Sequence, residues 1–80
     1  MTNKEKFAAT YAQAFRECYA EKMKDQSDAY VTGRIEKLVE VACGNFNAIS
    51  IDGAAFKLTA KRLKIKYTRK AFKEFIEAQP

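Results

Sequence analysis

Between Val31 and Ala42 the apolar residues keep one spacing. Val31, Ile35, Leu38, Val39 and Ala42 stand at i, i+4, i+7, i+8 and i+11, the recurrence of one face of an α-helix rather than the alternation of a strand. The preceding segment keeps a similar rhythm. Phe7, Tyr11, Phe15, Cys18, Tyr19 and Met23 recur largely at three- and four-residue steps, with Ala8, Ala12 and Ala14 filling in. Two amphipathic helices are therefore predicted, and their apolar faces are read as core. With 3 Gly and 1 Pro in 80 residues, little in the composition opposes helix elsewhere.

Cap signals set the expected boundaries. Thr2 and Glu5 have the spacing of a capping box, which starts a first helix over about residues 4–24. KDQSD then breaks the pattern, and Ser27 or Asp28 can cap a second helix over about 28–43. Gly33 costs that helix about 1 kcal/mol relative to Ala; it either frays the first turn or admits another helix closely. Gly44 and Asn45 suit a left-handed C-terminal cap. Residues 46–51 read as a loop pinned by Phe46, Ile49 and Ile51, with a short extended segment as the alternative. Asp52 caps a third helix over about 53–64, Thr68 a fourth over about 68–78, and Pro80 ends it. The expected fold is all-α: one domain over residues 1–80, a compact bundle of about four helices. Phe15, Leu38, Phe56, Leu63 and Phe72 should be buried together. Whether excess apolar surface is covered in a homodimer stays open.

Several classes of function find no residues to carry them. The chain has no histidine, and so lacks the commonest metal ligand and general base. Cys18 and Cys43 are too widely spaced for a CxxC motif and fall at apolar helical positions, which predicts buried, reduced thiols. Paired carboxylates and a Gly-rich loop are missing, so no enzyme, metal, cofactor or small-molecule substrate is expected. No apolar run approaches the roughly 18–20 residues of a membrane span. MTNKEKF lacks the apolar centre of a secretory signal, which makes the cytoplasm the expected location.

Charge separates the two halves. Residues 1–46 carry seven cations and seven acids; residues 47–80 carry eight cations against Asp52, Glu74 and Glu77, so the net +5 belongs to the second half. From Lys57 to Lys73 no acid interrupts. On helical wheels, Lys57, Lys61 and Lys64 lie opposite Ala55, Phe56, Thr59, Ala60 and Leu63. Arg69, Lys70 and Lys73 likewise lie opposite Ala71, Phe72, Phe75 and Ile76. The cations thus need not obstruct folding, and are expected to converge on one side of the two helices. Their mutual repulsion is a cost that an anionic partner would relieve.

TAKRLKI followed by a Thr-capped helix resembles the helix-turn-helix of DNA-binding proteins. Ala60 matches its small residue at the helix crossing, and Leu63 and Ile65 match the hydrophobes at the junction. The resemblance implies that the second helix offers Lys66, Tyr67, Thr68, Arg69, Lys70 and Lys73 to the major groove. Lys64 stands where the turn usually has Gly, and the apolar residues resume only at Ala71 and Phe72, so a longer turn or a different crossing angle is expected. More loosely, this small charged chain with its AKRLKIKYT segment resembles helical accessory proteins of tailed phages, which implies a phage origin and action in the host cytoplasm. The expected function is non-enzymatic binding of nucleic acid, DNA ahead of RNA. The expected binding residues are Lys57, Lys61, Lys64, Lys66, Tyr67, Arg69, Lys70 and Lys73. The alternative is a phage-encoded inhibitor that covers an acidic surface of a host complex, such as CRISPR or restriction machinery, with Leu58 or Tyr67 as an anchor.

Overall fold

Side-chain caps start each long helix in the computed structural model, which describes residues 2–78. Thr2 and Glu5 form the complete capping box of α1 (Asn3–Cys18). Ser27 accepts from the Tyr30 amide to open α3 (Asp28–Gly44), Asp52 from the Ala55 amide to open α5 (Gly53–Leu63), and Thr68 from the Ala71 amide to open α6 (Arg69–Glu77). Two single-turn helices, α2 (Ala20–Met23) and α4 (Asn47–Ser50), complete the order. The described residues are all-helical and contain no strand.

Four local expectations are corrected. The first helix does not run unbroken to residue 24: Tyr19, at φ −126° and ψ 43°, leaves the helical region and divides α1 from α2. Residues 46–51 are neither loop nor extended, because Asn47–Ser50 closes a helical turn. Gly44 and Asn45 form no left-handed cap. Asn45 is extended at φ −144°, and its amide satisfies the Val41 carbonyl directly. Gly33 faces open space and admits no neighbouring helix. The Pro80 stop lies outside the described residues.

α1 is the central element. α3, α5 and α6 all pack on it, while α4 bridges α3 to α5. Phe7, Ala8, Tyr11 and Ala12 of α1 are buried against Val31, Ile35, Val39 and Ala42 of α3, together with Ile49, Ala55, Phe56, Ala60 and Phe72. Of the five residues expected at the centre, Phe56 and Phe72 are buried, while Phe15, Leu38 and Leu63 are half-buried at its margin. Buried polar groups are satisfied: the Tyr11 hydroxyl donates to the Ile49 carbonyl at 3.2 Å and the Thr59 hydroxyl to the Ala55 carbonyl at 2.7 Å. Cys18 and Cys43 are exposed rather than buried. Each lies at the edge of its apolar stripe, where the helix face has already turned to solvent. Among the described residues, no helix is long and apolar enough to cross a membrane.

Candidate nucleic-acid interface

The basic half is positioned by aromatic packing. Phe72 anchors α6 among the rings of Phe7, Phe46 and Phe56, with centroid separations of 5.0, 5.5 and 6.3 Å, within the usual range for favourable ring pairs. The Asn3 side chain donates to the Phe75 carbonyl at 2.9 Å, satisfying one of the carbonyls left open at the end of α6. α5 is held by Phe56 and its buried alanines, and by two hydrogen bonds from Arg62 to Glu17 at 2.7 and 2.8 Å. That pair lowers the Glu17 pKa and raises that of Arg62. α5 and α6 are therefore each seated on α1 before they meet each other.

Five residues, 64–68, connect the two helices. Lys64 sits at φ 59° and ψ 41°, the sole described non-glycine with positive φ. Its amide donates to the Lys61 carbonyl, and the Ile65 amide reaches back to the Ala60 carbonyl at 3.0 Å. This is the Schellman pattern, in which the left-handed position usually belongs to glycine. Ile65 then packs against the core, partly buried. Tyr67 crosses back over α5: its ring meets Phe56 edge-on at 5.0 Å, and the Lys57 ammonium lies 5.6 Å from its centroid. A Cβ at Gly53 would come within 3.2 Å of the Tyr67 hydroxyl, so the glycine leaves room for this strap.

No family model, curated protein or solved structure matches this chain. The site is therefore read from its own residues.

All eight expected binding residues are exposed: Lys57 and Lys61 on the outer face of α5, Lys64 at its end, Lys66 and Tyr67 in the connection, and Arg69, Lys70 and Lys73 on α6. Arg62 is the one cation of this half with an acidic partner among the described residues, leaving seven of the eight unpaired. In residues 1–46, three of seven are paired: Lys4 with Glu40, Arg16 with Asp28 and Lys24 with Glu21. The cations do not converge on one side, however. Arg69 and Lys73 line a cleft against the end of α3, floored by Phe46, Phe72 and Ile76 and rimmed by Cys43 and Glu77. Lys66 and Lys70 line a shallow groove on the other flank, with Glu74 and Phe75. The wheel missed this because it treats α6 alone, whereas α3 and the connection divide its exposed face into two margins. Cys43 and Phe46 also escaped notice as lining residues, since only the packing of α6 on α3 brings them there.

The charge order along α6 is also unusual. Arg69 and Lys70 begin the helix and Glu74 and Glu77 end it, with no acid in the first turn and no base in the last. Helix dipoles favour the reverse. α1 follows the favourable order with Glu5 first and Arg16 last, α3 begins on Asp28, and α5 ends on Lys61 and Arg62. Among the described residues there is no cluster of His, Cys, Asp or Glu able to hold a metal ion.

Proposed function

We propose that this protein binds nucleic acid, DNA ahead of RNA, through α5, the connection and α6 in a helix-turn-helix-like manner. The observation that carries the reading is the concentration of two stability costs at one place. A lysine occupies the left-handed position that glycine would fill with less strain, and α6 opens on cations that oppose its own dipole. Local sacrifices of this kind collect where a surface is kept for a partner. A phosphate near the start of α6 would offset both the dipole conflict and the repulsion among Lys64, Lys66, Arg69 and Lys70. Cations on both flanks of α6 suit a helix lying between two phosphate strands, and its acids fall at the end directed away from the anion.

The test compares matched charge reversals. Fluorescence anisotropy with a labelled duplex should show binding that Lys66→Glu, Arg69→Glu and Lys70→Glu together abolish. Lys6→Glu, Lys22→Glu and Lys37→Glu together change net charge equally in the balanced half, and should weaken binding far less. Equal losses would reduce the effect to net charge. The competing reading, a phage-encoded inhibitor held on an acidic protein surface, predicts no duplex binding even at low salt.

A further inference from the structure

We propose that Tyr67 is a stacking platform for an unpaired base, so that the preferred ligand is a duplex bearing a single-stranded overhang or gap rather than an intact duplex. This rests on the nucleic-acid reading above. Tyr67 is 44% exposed and is the one exposed large apolar side chain in the basic connection. Its ring is held firmly: edge-on to buried Phe56 at 5.0 Å, with the hydroxyl end lodged beside Gly53. An aromatic fixed in this way loses little freedom when a flat ligand lands on it. Lys57 lies beside the ring and Lys66 adjoins Tyr67 in the chain, so a phosphate drawn to either cation would carry its base past the ring. Aromatic side chains set within cationic grooves are the recurrent means of holding unstacked bases. Lys57 lies 5.6 Å from the centroid, near the outer limit of about 6 Å for a cation–π contact, so a phosphate can draw its ammonium away and leave the ring to a base.

The molecule supplies a matched control. Tyr30 is 51% exposed with the Arg34 guanidinium 5.9 Å over its ring, but stands in the charge-balanced half. Binding should be measured with a blunt duplex and with the same duplex carrying a short overhang. The wild-type protein should bind the overhang substrate roughly tenfold more tightly, the lower part of the range for one base–aromatic stack. Tyr67→Phe and Tyr30→Leu should keep that ratio. Tyr67→Leu should bring it to about one, the overhang substrate losing more affinity than the blunt duplex, in a variant whose helical content by circular dichroism matches the wild type. In the wild-type protein, NMR should show the Lys57 side-chain methylenes losing their ring-current shift on adding the overhang substrate. Equal wild-type affinity for the two substrates, or a ratio unchanged in Tyr67→Leu, would overturn the proposal while leaving nucleic-acid binding intact. A parallel loss of both affinities in Tyr67→Leu would also overturn it, assigning the residue a structural role only. Absence of binding to either substrate would reject the underlying reading as well.

Discussion

Replacing Lys64 with glycine should make the protein more stable and a poorer binder. At φ 59° an L-residue in the left-handed region pays roughly 1–2 kcal/mol. Glycine avoids that cost but gives the unfolded chain more freedom, which returns about 0.4–1 kcal/mol. The net gain is about 0.5–1 kcal/mol. Unfolding entropy is about 2.1 cal/mol/K per residue, hence about 170 cal/mol/K for 80 residues. Lys64→Gly should then raise the Tm by about 3–6 °C. Lys64→Ala keeps the strain and removes the same charge, so it separates the two effects. In thermal melts followed by circular dichroism, only the glycine variant should gain appreciably. In DNA titrations, both variants should lose the same share of the salt dependence, about 0.9 in the log–log slope for one phosphate contact. A glycine variant no more stable than the alanine variant would refute the strain argument.

Other consequences follow from burial and pairing. Phe72→Ala, which empties the ring cluster beneath α6, should cost about 3–5 kcal/mol in urea melts, whereas Leu38→Ala at the half-buried margin should cost clearly less. Both thiols should react with Ellman's reagent without denaturant, and a Cys18→Ser, Cys43→Ser double variant should fold and bind as the wild type does, because both side chains are exposed and unengaged in the core. Arg62 holds the Glu17 carboxyl below its ordinary pKa of 4.5. The stabilisation from this pair is therefore fully present above that value and lost as pH falls through the lowered, folded-state value. Between about pH 6 and about pH 3 the wild-type Tm should fall further than that of Glu17→Gln.

The helices were legible where local chemistry decides them. Thr2, Ser27, Asp52 and Thr68 cap the elements that their spacing from the apolar stripes predicted. The break at Tyr19 was not legible, because no glycine or proline marks it and the good helix formers Ala20, Glu21 and Lys22 follow at once. The left-handed cap was misplaced for a related reason. Gly44 carries the usual signal, yet the helical turn of α4 follows so closely that the chain leaves α3 in an extended conformation, and Lys64 takes the left-handed position. The thiols and the marginal core residues depart from the helical wheel because a wheel gives direction without depth: Phe15 and Leu38 pack against the rim of the core and stay half-buried, while Cys18 and Cys43 stand exposed at the edges of their stripes. The exposure of Lys57, Lys61, Lys64, Arg69, Lys70 and Lys73 could be read from residue type and phase alone, whereas the pairing of Arg62 with Glu17 on another helix could not. Their division between two flanks of α6 depends on α3 and on the path of the connection, which no local pattern encodes.

The most direct test is the salt dependence of duplex DNA binding by the intact protein. Seven cations of the basic half have no acidic partner among the described residues. With about four of them on phosphates at once, the log of the affinity should fall against the log of salt concentration with a slope of about −3.6, at about 0.9 per contact. Lys66→Ala, Arg69→Ala and Lys70→Ala should each reduce its magnitude by about 0.9. An affinity insensitive to salt, or no binding to duplex DNA at low salt, would contradict the assignment of this surface to nucleic acid.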